Sequence, residues 1–158
     1  MTRILVFSDT HGHLERMRSV VENRPADLII HLGDFSRDIR ALSLPPGSPE
    51  PVTVQGNCDM TAGGETVRML TVEGVTFFLT HGHLHGVKRT TGLLAAAAGE
   101  AGARAALFGH THVPFCEEEN GVLLFNPGSL GFPCFGHATY GLVEVDGRAL
   151  RTQFVPVV

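Results

Sequence analysis

The chain has few cysteines and little of the aromatic surface that binding to single-stranded nucleic acid requires. Of its 158 residues, three are cysteine, one is tyrosine and none is tryptophan. Cys58, Cys116 and Cys134 form an odd, irregularly spaced set, which argues against a disulfide framework and indicates a reducing compartment. We therefore expect a cytoplasmic protein.

Basic residues are not in excess, and no apolar run reaches the length of a bilayer. Twelve Lys and Arg stand against 16 Asp and Glu, so the net charge is -4. Without a basic stripe, binding to a nucleic-acid polymer is not expected. Residues 1–3 lead directly into a strand-like segment, which leaves no room for a signal peptide, and we expect no membrane association. An anionic substrate would need another source of positive charge.

The remaining composition, 43% hydrophobic and 18% charged, is that of an ordinary globular protein. We expect residues 1–158 to form a single domain. Apolar patterns predict strands at 4–8, 27–32, 51–55, 67–72, 75–80 and 105–108, helices at 14–24, within 36–40 and over about 88–101, and hairpin turns at Glu73-Gly74, Asn120-Gly121 and Asp146-Gly147. This order predicts an α/β fold, a four-layer α-β-β-α sandwich of two mixed β-sheets with flanking helices.

Side chains that bind metals follow each of five predicted strands. The segments are DTH (9–11), GD (33–34), GNCD (56–59), HGH (81–83) and GHTH (109–112). Ligand sites in open α/β sheets form beyond the carboxyl ends of the strands, so we expect these loops to converge. Seven donors are candidates for metal ligands: Asp9, His11, Asp34, Asn57, His81, His110 and His112.

This donor set predicts a centre of two divalent ions. Mixed carboxylate, amide and imidazole donors without thiolates suit Mn²⁺, Fe²⁺, Co²⁺, Ni²⁺ or Zn²⁺ rather than a structural zinc site. Seven donors are too many for one tetrahedral ion. Two dications with two aspartates leave a formal charge of about +2. That charge points to a phosphate-bearing substrate.

The five motifs, in this order and with NPGS at 126–129, resemble the calcineurin-like metallophosphoesterase family and its compact bacterial and archaeal phosphodiesterase branch. The resemblance implies that Asp9, His11 and His112 hold one metal and that Asn57, His81 and His110 hold the other. It also implies that Asp34 bridges the two metals. Mn²⁺ is the expected ion, with Ni²⁺, Fe²⁺ or Zn²⁺ as alternatives.

The expected activity is hydrolysis of a small phosphodiester by a hydroxide that bridges the two metals. The Asn57 amide would also donate to a phosphate oxygen. One alternative is a phosphomonoesterase or a hydrolase of nucleotide phosphoanhydrides. Another is a non-catalytic protein-interaction scaffold, a role that a eukaryotic relative with a degraded metal site performs. All seven donors are present here, which favours the enzyme.

Two positions depart from the family pattern. Many relatives carry histidine after the motif asparagine as the proposed acid for the leaving group, whereas this chain has Cys58. A thiol is a poor replacement for an imidazole in this role. His83 and Asp59 are the alternative candidates, although Asp59 is equally suited to orienting a ligand and His83 to a solvated loop. After NPGS, residues 133–135 lack the basic residue of many relatives, so substrate preference is left open.

Overall fold

The computed structural model describes residues 1–59 and 64–157. Its regular structure consists of two sheets, three α-helices and one short 3₁₀ helix (His83–His85). The first sheet contains β1 (Thr2–Phe7), β2 (Leu28–His31), β3 (Val52–Thr53), β9 (Thr139–Asp146) and β10 (Ala149–Pro156), and the second contains β4 (Val67–Val72), β5 (Val75–Thr80), β6 (Ala105–Leu107), β7 (Phe115–Glu119) and β8 (Val122–Asn126). The α-helices are α1 (Leu14–Asn23), α2 (Arg37–Ala41) and α3 (Gly92–Glu100).

Each sheet has a parallel centre and antiparallel strands beside it. The strand orders are β10-β9-β1-β2-β3 and β4-β5-β6-β8-β7. Strands β1, β2 and β3 run parallel in the first sheet, as do β5, β6 and β8 in the second. Both sheets are therefore mixed, as predicted, and parallel strands end together at one edge of each sheet.

Alternation along β1 shows how the layers are arranged. Ile4 and Val6 belong to a buried cluster that includes residues of both sheets, so this cluster lies between them. Leu5 and Phe7 point to the opposite face, where Met17 of α1 joins their cluster. A third cluster unites α3 with the outer face of the second sheet. These layers confirm the predicted four-layer α-β-β-α sandwich.

The boundaries differ from the predictions at two places. Helix α3 begins at Gly92 rather than near Lys88, because residues 86–89 form a turn in which Arg89 N–H donates to Gly86 O. The last hairpin turns at residues 147–148, one position later than predicted, while the turns at 73–74 and 120–121 lie where expected. In the part of the chain that the structure describes, no helix has both the length and the apolar character needed to cross a membrane.

Candidate metal centre

Four loops at the ends of parallel strands bring six of the seven predicted ligands into two groups. Asp9, His11, Asp34 and His112 form one group, and Asp34, His81 and His110 form the other; within each group the donor atoms lie within 4.8 Å of one another. Asp34 belongs to both groups. The sequence-based assignment of these residues to two ions stays a prediction, but their convergence is a feature of the structure.

Asp9 is held so that one of its oxygens is left for a ligand. Its Oδ2 accepts the Ser8 hydroxyl at 2.6 Å and the backbone N–H of His110 at 3.1 Å. Its Oδ1 lies 3.1 Å from His112 Nε2 and 3.7 Å from His81 Nε2. The loop after β6 is thereby attached to the loop after β1, and Oδ1 faces the imidazoles.

Backbone carbonyls orient two of the histidines. His81 Nδ1–H donates to Leu32 O at 2.8 Å, and His112 Nδ1–H donates to Phe132 O at 2.6 Å. A carbonyl can only accept, so Nδ1 of each ring carries a proton, and Nε2 is the nitrogen left to bind a metal. Hydrogen bonds of this kind fix ring orientation around bound metals.

The ligand loops adopt a backbone conformation that most residues avoid. Five of the predicted ligands have positive φ: Asp9 (54), His11 (45), Asp34 (59), His110 (71) and His112 (61). Each such residue costs about 1–2 kcal/mol relative to the usual helical region. Strain of this type persists only where the surrounding structure imposes it, and it concentrates at functional sites. The sequence motifs did not reveal this feature.

The electrostatics of the cluster favour a bound cation. Burial opposes ionisation of Asp9 and Asp34, but their contacts with the imidazoles of His112 and His81 outweigh it and lower the pKa of both carboxyls. The same contacts outweigh burial at His81 and His112 and raise the pKa of both rings, so a cation bound at Nε2 would replace a proton there. Burial lowers the pKa of His11, and it lowers the pKa of His110 to about 4, so both rings are neutral at pH 7. Ionised carboxylates beside neutral imidazoles are the protonation states that metal ligands require.

The donor atoms also fit a metal by their lack of other partners. Asp9 Oδ1, His11 Nε2 and His81 Nε2 are buried and accept or donate no hydrogen bond within residues 1–59 and 64–157. Buried polar atoms in proteins are almost always paired, and unpaired ones need an explanation such as an ion. A divalent ion of the kind that oxygen and nitrogen donors hold would satisfy these atoms.

The loop after β3 supplies Asn57, Cys58 and Asp59, which the structure places in different roles. Asn57 is exposed, and its side-chain nitrogen lies 3.7 Å from Cys58 Sγ. The backbone N–H of Cys58 donates to Asp34 Oδ1 at 2.9 Å, while its thiol is exposed. Asn57 as a ligand to the second metal stays a prediction.

Asp59 is surrounded by backbone donors. Its two oxygens accept N–H groups from Asp34, Phe35, Ser36 and Gly56 at 2.7–3.0 Å. Of the two roles left open by the sequence, this geometry favours orientation: the carboxylate fixes the loop that carries Asp34. It orients that backbone rather than a ligand histidine.

Two further histidines, His83 and His13, lie on segments that flank the ligand loops. His83 lies in a 3₁₀ turn (His83–His85), with its ring centroid 5.5 Å from that of His81 and 6.2 Å from that of His110. Within the described residues, Nδ1 of His83 is buried and has no hydrogen-bond partner. His13 directly precedes α1. His83 thus borders the centre, and its catalytic role stays a prediction.

His31 belongs to a buried chain of hydrogen bonds behind the ligand loops. Gly33 N–H donates to His31 Nδ1 at 3.1 Å, and His31 Nε2 lies 2.9 Å from Thr10 Oγ1. The Thr10 hydroxyl donates to Asp38 Oδ2 at 2.7 Å, so Nε2–H must donate to Thr10. These hydrogen bonds join the loops that carry Asp9, His11 and Asp34 to α2. No local motif indicates them.

The NPGS segment braces two ligand loops. Asn126 Nδ2 donates to Gly109 O at 3.1 Å and to Thr111 Oγ1 at 3.0 Å. Ser129 Oγ donates to Asp9 O at 2.8 Å. NPGS lies at the end of a parallel strand, as the ligand motifs do, and this position was the sequence feature that could have indicated its supporting role.

The fold and the paired donor groups define the class of this protein as a metal-dependent hydrolase. Residues 2–148 match the Calcineurin-like phosphoesterase superfamily domain. The chain belongs to that superfamily, which confirms the resemblance seen in its motifs.

Relatives from several bacteria share almost the full length of the chain. The "Probable metallophosphoesterase YsnB" of Bacillus subtilis is 33% identical over 154 residues, covering 96% of this chain and 89% of the relative. "Phosphodiesterase YfcE" of Escherichia coli is 29% identical over 174 residues, covering 92% and 89%. A crystal structure of a predicted phosphoesterase from Streptococcus pneumoniae superposes with a TM-score of 0.81 at 30% identity, covering 98% and 89%.

Proposed function

We propose that this protein hydrolyses small phosphodiesters with the help of two divalent ions. The observation that carries the proposal is the pair of donor groups that share Asp34. Two ions about 3.5–4 Å apart serve hydrolysis of phosphate esters in many enzymes. Names of relatives support the reaction class, since they include phosphodiesterases and metallophosphoesterases.

In this proposal Asp9, His11 and His112 hold one ion, and His81, His110 and Asn57 hold the other. Asp34 contacts both. When bound, the ions supply Lewis acidity to phosphate oxygens and a nucleophilic water at neutral pH. Mn²⁺ is proposed first, with Ni²⁺, Fe²⁺ or Zn²⁺ as alternatives, since one nitrogen and oxygen donor set accepts all of them.

The chain's own groups position the reaction. Carbonyls of Leu32 and Phe132 hold the histidine rings, and Asp59 holds the Asp34 backbone. The amide of Asn57, in an exposed position, is proposed to donate to a non-bridging phosphate oxygen. Holding the substrate in this way removes much of the entropic barrier to displacement.

At the position after Asn57, this site lacks a good proton donor for the leaving group. Partial desolvation and the Asp34 carboxylate raise the pKa of the Cys58 thiol. A thiol of raised pKa is a poor proton donor near neutral pH. Diesters with good leaving groups, which need no donor, are therefore the preferred substrates.

The test is hydrolysis of bis(p-nitrophenyl) phosphate beside p-nitrophenyl phosphate. Metal-stripped protein receives Mn²⁺, Ni²⁺, Fe²⁺, Zn²⁺ or Mg²⁺ singly, with Asp34→Asn as the inactive control and Asp146→Asn as the matched exposed control. We expect metal-restored turnover of the diester above the monoester, abolished by Asp34→Asn alone. Faster turnover of the monoester would indicate a phosphomonoesterase instead. No turnover of either ester by folded, metal-loaded protein would favour an anhydride substrate or a scaffold.

We also propose a cytoplasmic location. The three cysteines Cys58, Cys116 and Cys134 are free and exposed, a state that a reducing compartment maintains. Fractionation of cells that express the protein, with cytoplasmic and exported marker proteins as controls, tests this. Recovery in the exported fraction would contradict it.

A further inference from the structure

Aromatic side chains line one side of the metal centre. The ring of His11 lies between Phe35 and Phe132, with centroid distances of 5.0 Å and 5.2 Å. His13 approaches the same Phe132 ring edge-on at 5.3 Å. An imidazole that belongs to the metal-binding group is therefore bordered by two phenyl rings.

Phe132 presents an open ring at this border. Its side chain is 57% exposed, although its backbone is fixed at both ends. The N–H donates to Ser129 Oγ at 2.8 Å, and the carbonyl accepts His112 Nδ1–H at 2.6 Å. A large apolar ring held open to solvent by a rigid backbone, beside a catalytic centre, is available to a ligand without reorganisation of the loop.

Hydrogen bonds hold the neighbouring residue, Phe35, in a strained backbone conformation. Phe35 has φ 68, which is rare for a bulky side chain. Asp59 Oδ1 accepts its N–H at 2.9 Å, and its carbonyl accepts Asp38 N–H at 2.8 Å. The guanidinium of Arg37 lies over the Phe35 ring at 4.6 Å. One face of Phe35 is thus occupied, which leaves Phe132 as the accessible ring.

A second exposed phenylalanine, Phe135, follows Phe132 in the same segment. Phe135 is 76% exposed, and between the two phenylalanines Cys134 N–H donates to His112 O at 3.2 Å. Segment 132–135 therefore runs beside a predicted metal ligand with two exposed aromatic side chains. Exposed apolar groups scattered singly need no explanation, but a group of them at one site marks a binding surface.

From these contacts we propose that the substrate carries an aromatic group, with a nucleobase as the favoured case, that stacks on Phe132 while its phosphodiester lies at the metal centre. The proposal rests on the proposed function and specifies its substrate class. Stacking on an aromatic side chain tolerates any base, because every base has a π-face. The net charge of -4 favours a small nucleotide diester over a polymer.

The test compares three diesters with one leaving group. The esters are methyl, phenyl and thymidine 5′-p-nitrophenyl phosphate, assayed for kcat/KM with the most active metal. We expect kcat/KM to fall in the order thymidine, phenyl, methyl, and we expect Phe132→Ala to lower the thymidine-to-methyl ratio by about 5- to 150-fold, the range of one stacking contact. Effects of the substitution on the metal centre act on all three esters and cancel in the ratio. Leu93→Ala, which truncates a side chain 63% exposed on α3, should leave the ratio unchanged.

A binding measurement separates this inference from the proposed function. Calorimetric titration of the metal-loaded wild-type protein should give a lower Kd for thymidine 5′-monophosphate than for methyl phosphate. Phe132→Ala should remove this difference in Kd. A phenyl ester equal to the thymidine ester would support an aryl group without a role for the sugar or base. Equal kcat/KM for all three esters would overturn the aromatic substrate while the diesterase stands. Absence of any turnover together with nucleotide-selective binding would overturn the diesterase alone.

Discussion

The carboxylate of Asp59 accepts the backbone N–H of Asp34 at 2.8 Å. Asp34 is common to both donor groups, so the position of the centre depends on a residue that is in neither group. Three further N–H groups converge on the same carboxylate. Metal binding and the structure of the Asp34 loop are therefore coupled through Asp59.

We expect Asp59→Asn to weaken metal binding as well as activity. The amide replaces one acceptor oxygen by a donor that faces N–H groups, so at least one bond is lost and the charge is removed. Stability should fall by about 2 kcal/mol, and metal affinity by about 10- to 100-fold. Denaturant unfolding and calorimetric metal titration measure these changes, with Asp146→Asn as control. Unchanged metal affinity with loss of activity confined to esters of poor leaving groups would instead identify Asp59 as the acid.

Metal should stabilise the fold through Asp34. The unpaired buried donors Asp9 Oδ1, His11 Nε2 and His81 Nε2 gain partners only when ions bind, within the part of the chain described. At a free Mn²⁺ concentration of about 100 Kd, binding contributes about 2.7 kcal/mol and raises Tm by about 5–10 °C. Thermal unfolding with and without Mn²⁺ measures the shift. Asp34→Asn should lose most of it; a shift that survives this substitution would place the metal elsewhere.

The strands and ligand loops were predictable because their signals are local. Apolar runs gave β4 and β5 at their observed bounds, and donors after each strand gave Asp9, His11, Asp34, His81, His110 and His112 as neighbours in space. The supporting contacts were not predictable in this way. The carbonyl that orients His112 belongs to Phe132, 20 residues away, and the conformation of Phe35 depends on a carboxylate 24 residues away. Such partners depend on how loops meet, which periodicity does not encode.

Gly33 should tolerate no side chain. Its φ is +99, and a Cβ there would lie 2.5 Å from Gly56 N and 2.9 Å from Gly56 Cα, which are backbone atoms. Overpacking and left-handed strain together should destabilise Gly33→Ala by about 3 kcal/mol or more. Gly47→Ala is the matched control, because its φ is +84 with no atom within 4 Å of the added Cβ. It isolates the backbone term of about 1–2 kcal/mol. Similar losses of stability in Gly33→Ala and Gly47→Ala would show that the loops carrying Gly33 and Gly56 move apart at little cost.

His31 should make the fold sensitive to acid. Burial lowers its pKa from the ordinary 6.5 to about 4. Between these values the unfolded chain takes up a proton that the folded protein excludes, so stability falls as pH drops from about 6.5 to 4, by at most about 1.4 kcal/mol per pH unit. Protonation at Nδ1 would also break the bond from Gly33 N–H. His31→Gln should have a shallower dependence than wild type when unfolding is measured at pH 7, 6 and 5 without metal. Parallel curves would assign the acid sensitivity to other groups.

Cys58→His should extend the range of leaving groups. The Cys58 backbone is already bonded to Asp34 Oδ1 and its side chain is exposed at the loop tip, so an imidazole can be placed there without disturbing a buried contact. A positioned proton donor contributes about 10²–10⁴-fold, but only where the leaving oxygen needs the proton. Bis(p-nitrophenyl) phosphate should therefore change little, while diphenyl phosphate, with its poorer leaving group, should be hydrolysed at least about tenfold faster. Cys58→Ser serves as control, since a hydroxyl is no better a donor than the thiol. If Cys58→His accelerates neither ester, a donor already present protonates the leaving group. His83 borders the centre and is the candidate to test; a His83→Gln variant that is impaired on diphenyl phosphate alone would then identify it.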